Sequence, residues 1–396
     1  MYYNSVLYGL GSRRSVIREL FEFGKQKAAL EGEDSVFDFS IGNPSVPAPE
    51  CLNLSIKDIL ETTDSKTVHG YTSAQGDAWV RKTIADSIFS RFGKEVGPDN
   101  IYMTCGASAA LCIAISSLNA GEDEFVVFAP YFPEYDVFIK AAMGKPVVVK
   151  AHKPDFQIDF DEFERVLTAR TKAVIINSPN NPSGVVYNEA TIIRLCEILE
   201  RKSQEYGHPI FIIADEPYRE LVYDDITVPY VMNYYANTVV CYSFSKALSI
   251  PGERIGYVAV CPDAEDSRGL YAAVCGAGRA WGYVCAPSLM QRVVATCIDA
   301  RPDIASYKRN RDLLYTSLME IGYECVHPDG AFYLFVKALE PDSLAFSDRA
   351  KQYGLLLVPG IDFEVSDYVR VAYCVSYDMI KRSMPAFKAL YDSYKK

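Results

Sequence analysis

The sequence has few of the residues that build metal sites or disulfide frameworks. Only four histidines occur in 396 residues, at His69, His152, His208 and His327, and they are too dispersed to share one helix. This spacing predicts no transition-metal site. The 11 cysteines are scattered and none belongs to a C-x-x-C pair. Such cysteine usage is typical of reduced thiols in a cytoplasmic enzyme.

Long apolar runs and an excess of positive charge are also missing. No run approaches the roughly 20 residues of a membrane span, and residues 1–10 lack the pattern of a signal peptide. The net charge of −11 disfavours nucleic acid and anionic membranes as partners. What remains is a globular composition, 49% hydrophobic and 23% charged, which predicts about two to three packed domains.

Strand-like and helical patterns alternate through the middle of the chain. Short apolar runs recur at 125–129, 147–149, 172–177, 210–214, 238–242 and 256–261. Continuous runs of this kind are typical of strands that are buried on both faces. Helical patterns lie between them, at 107–120 and from Asn188 to Gly207. The alternation predicts an α/β fold, a mostly parallel sheet with helices on both faces.

The two ends of the chain show a mixed pattern. Helical segments at 12–30, at 304–321 and after residue 378 accompany strand-like runs at 331–336 and 368–375. We therefore expect a small α+β domain built from residues 1–50 and 285–396. The large sheet domain is expected over residues 51–284.

Polar, turn-forming segments follow three of the central strands. They lie at 178–184, 215–218 and 243–246. Each segment alone is explained by turn formation. Because ligands of parallel sheets bind at the carboxyl ends of strands, three such segments in one sheet favour a shared site.

Two residues of these segments carry reactive groups. Lys246, between Ser245 and Ala247, follows a buried strand and could attack a carbonyl to form a Schiff base. The alternatives are a surface lysine and the S-x-x-K motif of penicillin-recognising enzymes, whose S-D-N and K-T-G partners are missing. Asp215 ends an apolar strand and needs a cationic partner, either a protonated heterocyclic nitrogen or an arginine.

Two further features suit an anion. Arg254 lies eight residues after Lys246 and could grip a phosphate or carboxylate, or pair with Glu253 at the surface. Residues 104–110 are small and precede a helix, where backbone N–H groups can approach an anion. An ordinary helix start explains that segment equally well.

Together these motifs resemble the fold-type-I pyridoxal-phosphate enzymes, and within them the class I/II aminotransferases of the aspartate aminotransferase type. The matching segments, in chain order, are S-P-N-N-P-S-G at 178–184, D-E-P-Y at 215–218, S-F-S-K at 243–246 with Arg254, and Y-V-R-V at 368–371. Further similar segments run from 38–44 to 330–333, so the resemblance covers nearly the whole chain.

The resemblance implies a role for each matching residue. Lys246 would hold pyridoxal 5′-phosphate as a Schiff base and then carry the substrate proton. Asp215 would keep the ring nitrogen protonated, while Tyr218 and Asn181 would bind the 3-oxygen of the ring. Phe132 would stack on the ring face.

The resemblance also implies where the phosphate and the substrate bind. The phosphate group would be held by Ala107, Ser108, Ser243, Ser245 and Arg254, with Tyr71 reaching it from the neighbouring subunit of a homodimer. Gly42, Asn181 and Arg370 would bind the substrate, Gly42 and Arg370 at its α-carboxylate.

The implied reaction is transfer of an amino group between an L-amino acid and a 2-oxo acid by a ping-pong mechanism, with aspartate favoured as donor. A C–S β-lyase or a decarboxylase would use the same Lys246 and Asp215. Arg279 lies near the place of a second carboxylate-binding arginine in some relatives, and a structural ion pair explains it equally well.

Two rivals of other classes are weaker. The G-x-G at 276–278 lacks the third glycine of a dinucleotide-binding loop, because Trp281 stands there. The aminotransferase-like half of a transcription regulator would need a DNA-binding domain, and the two expected domains use the entire chain.

Overall fold

A computed structural model describes residues 2–3, 5–12 and 16–395. The strands are β1 (Phe37–Asp38), β2 (Ile101–Thr104), β3 (Glu124–Phe128), β4 (Lys145–Val149), β5 (Thr171–Asn177), β6 (Phe211–Asp215), β7 (Thr238–Ser243), β8 (Gly256–Val260), β9 (Tyr333–Lys337), β10 (Leu355–Leu356), β11 (Val358–Pro359) and β12 (Tyr368–Ala372).

The helices are α1 (Ser5–Ser12), α2 (Val16–Glu31), α3 (Glu50–Thr62), α4 (Ser65–His69), α5 (Ala78–Phe92), α6 (Ala107–Leu118), α7 (Glu134–Ala141), α8 (Phe160–Val166), α9 (Glu189–Tyr206), α10 (Phe244–Ala247), α11 (Ser267–Ala280), α12 (Ser288–Thr296), α13 (Ile304–Ile321), α14 (Ser343–Lys351) and α15 (Tyr377–Asp392). Residues 13–15, inside the helix expected at 12–30, lie outside the described residues. No helix of the described ranges is long and apolar enough to cross a membrane.

The central sheet has seven strands in the order β2-β8-β7-β6-β5-β3-β4. β4, β3, β5, β6 and β7 run parallel to one another, whereas β8 is antiparallel to both β7 and β2. Every residue of β3, β6, β7 and β8 is buried, so both faces of the sheet are covered. This architecture confirms the predicted mostly parallel α/β sheet.

Local sequence signals account for most of these elements. In α9, the Asn188 side chain accepts the Thr191 N–H at the first turn, and Gly207 ends the helix in the left-handed region (φ 73°). The six predicted strands each correspond to one strand of the sheet. β2 was not predicted, because four residues are too few to establish a periodicity.

The chain divides into two compact units. The larger contains residues 44–304 and 329–331, and the smaller contains residues 1–43, 305–328 and 332–396. The expected large domain covered only residues 51–284. The difference at its end arises because α12, beyond residue 284, packs against α3, α4 and α5 of the sheet unit.

The smaller unit is an α+β structure. β11, β12 and β9 form an antiparallel sheet, and β1 pairs with β10 in parallel. α14 packs against β10, β11 and β12, and α15 packs against β1 and β10.

Candidate active site

The carboxyl ends of β5, β6 and β7 meet at one edge of the large sheet. In register, Asn177 of β5 lies opposite Asp215 of β6, and Asp215 lies opposite Cys241 of β7. Ser243, at the end of β7, pairs with Gly256 at the start of β8. The three polar segments that follow these strands therefore begin side by side, as the sequence predicts.

Asp215 is buried at this edge with one carboxylate oxygen left open. Its Oδ2 accepts a hydrogen bond from the Tyr135 hydroxyl at 2.5 Å. Its Oδ1 is buried and has no hydrogen-bond partner among the described residues. Burial raises the pKa of Asp215 to about 7, while the Tyr135 hydrogen bond lowers it and the charge of Glu216 raises it. An open buried oxygen calls for a donor or a cation from outside the chain.

The arginine partner considered for Asp215 belongs to its neighbour in sequence. Arg219 binds Glu216 through two hydrogen bonds, one of them from Nε to Oε2 at 2.5 Å. Both side chains are only 4% exposed. The ion pair expected as an alternative at Asp215 is therefore found at Glu216.

Lys246 lies on the four-residue helix α10, directly after β7. Its neighbours Ser245 and Ala247 are buried, and Lys246 is itself half-buried. The side chain of Ser243 caps α10 by accepting the Ser245 N–H at 3.1 Å. The cap holds the lysine at the sheet edge, one strand from Asp215.

Arg254 lies beside this cap and, with Ser243 and Ser245, forms what we call the Arg254 cluster. Arg254 donates from Nη1 to the Ser245 Oγ at 3.2 Å and to the Pro251 carbonyl at 3.0 Å. Its backbone is in the left-handed region (φ 49°), which a non-glycine residue rarely adopts. An ion pair between Arg254 and Glu253 is not formed among the residues that the structure describes.

The guanidinium of Arg254 also lies against the start of α6. A Cβ added to Gly106 would stand 2.7 Å from the Arg254 Nη2, so only glycine leaves room for it. Ala107 and Ser108 form the first turn of α6, where backbone N–H groups have no partner within the helix. Because Ser108 is exposed, an anion can reach this turn from solvent.

The asparagine segment after β5 is held by side chains rather than by turn geometry alone. Asn177 donates to the Asp215 carbonyl at 2.9 Å, and its Oδ1 accepts the Asn181 N–H at 2.8 Å. Asn181 and Tyr218 are both buried at the same edge. Asn177 was not singled out from the sequence, since it lies inside a predicted strand.

Phe132 and Tyr71, two of the aromatic candidates of the sheet unit, differ in their surroundings. Phe132 is half-buried, and its ring packs edge-on against that of Tyr135 at 5.8 Å and 86°. Since Tyr135 donates to Asp215, these three residues form one group, which we call the Asp215 group. Tyr71 is 97% exposed and takes no part in that group.

In the smaller unit, Arg370 and Gly42 meet at one tyrosine. Arg370 is 3% exposed and donates from Nη2 to the Ser40 carbonyl at 2.7 Å. Its guanidinium lies 4.5 Å from the Tyr333 ring centroid and 5.3 Å from that of Phe363. A Cβ on Gly42 would collide with the Tyr333 hydroxyl. The side chain of Arg370 is therefore buried within the smaller unit rather than directed into solvent.

Comparison with known proteins decides the family. The family model "Aminotransferase class I and II" matches residues 34–387. The chain belongs to the class I and II aminotransferases. Members of this family transfer amino groups between amino acids and 2-oxo acids with pyridoxal phosphate, and this chain is accordingly a transaminase. The β-lyase alternative has no better support.

Individual relatives match over almost their full lengths. The probable aspartate aminotransferase of Methanocaldococcus jannaschii is 29% identical over 388 residues, covering 96% of this chain and 97% of the relative. A solved amino transferase from Eubacterium rectale is 56% identical, with a TM-score of 0.99 and full coverage of both chains. The aspartate aminotransferase structure from Thermotoga maritima is 28% identical, with a TM-score of 0.85, covering 96% of this chain and 98% of that one.

The residues of this aminotransferase fit the family cofactor on two observations. The open Oδ1 of Asp215 suits a protonated ring nitrogen, and the Arg254 cluster at the start of α6 suits a phosphate. Gly256 lies two strands from Asp215, about 10 Å at ~4.8 Å per strand. That separation matches a heterocycle that carries a phosphate arm.

The rival dinucleotide loop is excluded by secondary structure. Residues 276–278 lie inside α11 rather than between a strand and a helix. Arg279, at the end of the same helix, is exposed.

Proposed function

We propose that this aminotransferase holds pyridoxal 5′-phosphate at the strand edge of its large unit, with Lys246 as the covalent attachment point. The proposal is carried by the open, buried Oδ1 of Asp215. A buried carboxylate oxygen without a hydrogen-bond donor costs about 1–3 kcal/mol or more, and a ligand that supplies a donor removes that cost. A protonated ring nitrogen is such a donor.

Pyridoxal phosphate, when bound, supplies an aldehyde that condenses with amines and a ring that withdraws electrons. Asp215 then holds a proton on the ring nitrogen. Lys246 Nζ would be the group that takes the proton from the substrate α-carbon and returns it. Tyr218 and Asn181 orient the ring through its 3-oxygen.

The remaining cofactor contacts follow from the same cluster. Arg254, Ser243 and Ser245 bind the phosphate with the first turn of α6, at Ala107 and Ser108. Phe132 covers one face of the ring. The support for this assignment is the packing of Phe132 on Tyr135, which in turn binds Asp215.

Arg370 and Gly42 are proposed to bind the substrate α-carboxylate, with Asn181 as a further substrate contact. The buried arginine fork suits a carboxylate through two parallel hydrogen bonds. Aspartate is proposed as amino donor, because several relatives are named aspartate aminotransferases.

The active enzyme is proposed to be a cytoplasmic homodimer. Support for a shared site comes from Tyr71, whose side chain is 97% exposed and therefore open to a second subunit. Support for a reducing compartment comes from the cysteines, all of which are free thiols in the structure.

Borohydride reduction followed by peptide mass spectrometry tests the attachment point. We expect the purified enzyme to absorb near the violet edge of the visible spectrum. After reduction, we expect the cofactor adduct on Lys246. The variant Lys246→Ala should lack both, whereas Lys82→Ala, which removes an exposed lysine of α5 paired with Asp86, should keep them. An adduct on another lysine would overturn the assignment.

A panel of L-amino acids with 2-oxoglutarate then identifies the donor. Aspartate should give the highest kcat/KM. Steady release of pyruvate and ammonia without an oxo-acid acceptor would indicate β-elimination as the main reaction instead.

Mixed dimers test the shared site. Lys246→Ala and Tyr71→Ala should each be impaired as homodimers. A mixture refolded together should regain activity, because one of its two sites combines an intact Lys246 with an intact Tyr71. No recovery in dimers shown to be mixed would contradict the role of Tyr71.

A further inference from the structure

We propose that Tyr135 is a positioning residue for Asp215: its hydroxyl occupies Oδ2, so that the carboxylate stays ionised and only Oδ1 faces the ligand. The inference rests on the proposed cofactor site and deepens it. Tyr135 belongs to none of the motifs by which the site was predicted. Among the described residues, its hydroxyl donates to Asp215 and not to Lys246 or the Arg254 cluster.

Packing fixes the position of the Tyr135 hydroxyl. The side chain is 1% exposed, in the first turn of α7. Its ring is parallel to that of Tyr131 (6.2 Å, 8°) and edge-on to that of Phe132 (5.8 Å, 86°). Since these contacts hold the ring on two sides, the hydroxyl points at Asp215 Oδ2 at 2.5 Å without further side-chain freedom.

Electrostatics fix the direction of the hydrogen bond. Burial raises the pKa of Tyr135 well above its ordinary value, and the charges of Asp215, Tyr218 and Cys241 act in the same direction. Tyr135 therefore stays neutral and donates. A donor favours the ionised form of its acceptor, so Tyr135 opposes burial and Glu216, which both favour protonated Asp215.

The consequence is a shift in where one proton resides. Asp215 Oδ1 and a ring nitrogen that faces it share a proton, and the stronger base of the two keeps it. With Tyr135 bound to Oδ2 the carboxylate is the weaker base, and the proton stays on the ring. Without that hydrogen bond the proton moves toward Asp215, and the ring withdraws electrons less strongly.

The experiment compares Tyr135→Phe with a matched control, Tyr235→Phe. Each substitution removes one hydroxyl from a buried tyrosine of the same unit. Tyr235 donates to the Ile210 carbonyl at 2.8 Å, just before β6 begins, whereas Asp215 is the last residue of that strand. Both variants and the wild type are loaded with pyridoxal phosphate carrying ¹⁵N in the ring. The ¹⁵N chemical shift reports protonation of the nitrogen independently of turnover.

In Tyr135→Phe we expect the ¹⁵N signal to move toward that of the unprotonated ring, and kcat to fall about 10-fold or more with KM for the amino acid changed by less than about twofold. Tyr235→Phe should match the wild type in both. Tyr135→Leu, which also lacks a donor, should move the signal in the same direction.

Asp215→Asn separates this inference from the proposed function. If that variant moves the ¹⁵N signal while Tyr135→Phe coincides with Tyr235→Phe, the role of Tyr135 is overturned and the cofactor site stands. If the wild type takes up no pyridoxal phosphate, or Asp215→Asn leaves the signal unchanged, the proposed function itself fails.

Discussion

Asp215 and Glu216 are adjacent acids with opposite fates at the same strand end. Both are buried, at 4% and 3% exposed. Glu216 meets the guanidinium of Arg219 through two hydrogen bonds, and that arginine also donates to the Val228 and Pro229 carbonyls at 3.0 Å. Asp215 receives one hydroxyl and keeps one oxygen open.

The difference shows how a strand end separates a structural acid from a ligand-binding one. Successive residues of a strand point to opposite faces, so the two carboxylates enter different surroundings. On the Glu216 side the chain supplies the whole partner set, including the Phe92 and Tyr230 rings around Arg219. On the Asp215 side the chain supplies a donor for Oδ2 alone, and the ligand must supply the donor for Oδ1.

The largest effect on stability is expected from breaking the buried ion pair between Glu216 and Arg219. Glu216→Gln leaves the buried Arg219 without a counter-charge, and we expect the apoenzyme to lose about 3–5 kcal/mol of unfolding free energy. Urea denaturation measures it. The control Asp86→Asn, in the exposed pair with Lys82, should cost less than about 1 kcal/mol. A Glu216→Gln loss no larger than that of the control would mean that the buried pair is not structural.

Removing the charge of the Asp215 carboxylate should instead raise the stability of the apoenzyme. Below pH 3.8 Asp215 is protonated in both folded and unfolded apoenzyme. Between pH 3.8 and about 7 the unfolded chain releases the proton and the folded one keeps it, so wild-type stability falls as pH rises. Asp215→Asn lacks this loss and should be the more stable apoenzyme above pH 7, by up to roughly 4 kcal/mol at about 1.4 kcal/mol per pKa unit.

Unfolding free energies at pH 4 and pH 8 measure this difference. The two apoenzymes should be nearly equal at the lower pH and differ at the higher one. Turnover of the loaded Asp215→Asn enzyme should fall in spite of its greater stability. Equal stability of the two at both pH values would show that burial of the charge costs nothing.

The smallest effect extends the comparison from acids to arginines. Arg219 binds a carboxylate of its own chain, whereas Arg370 rests on the Tyr333 and Phe363 rings and donates to a carbonyl. Arg370→Lys keeps the charge but loses the two parallel donors of the guanidinium. We expect the transition-state stabilisation calculated from kcat/KM for amino acids to fall by about 1.5–3 kcal/mol. Arg382→Lys, at an exposed side chain of α15, serves as control. Amines without a carboxylate should be unaffected; an equal loss for them would make Arg370 structural.

Much of the sheet could be predicted because its strands are continuous apolar runs. The segment 172–177 predicted β5 almost to the residue, and the polar segments after β5, β6 and β7 predicted the edge at which Asp215 and Lys246 lie. The direction of β8 could not be predicted, since a buried strand has the same apolar pattern whichever way it runs. Nor could β12 reveal that Arg370 is buried, because alternation only places it opposite its valine neighbours.

The partners of the site residues were harder to predict than the site residues themselves. Tyr135 stands 80 residues from Asp215, in a segment whose aromatic residues suit an ordinary core. Asn177 is one polar residue at the end of an apolar strand. The hydrogen bonds from Tyr135 and Asn177 to Asp215 exist only once the sheet has assembled, and no local spacing encodes such contacts.

The antiparallel direction of β8 has a consequence for the order in which the site can form. Because β8 runs back along β7, Arg254 returns to Ser245 after only nine residues, without a crossover helix. The Tyr135–Asp215 hydrogen bond spans 80 residues, and closing that longer loop costs about 2 kcal/mol more in chain entropy. The cationic half of the site can therefore arise from one local hairpin, while the half that holds the charge of Asp215 waits for the parallel strands to dock.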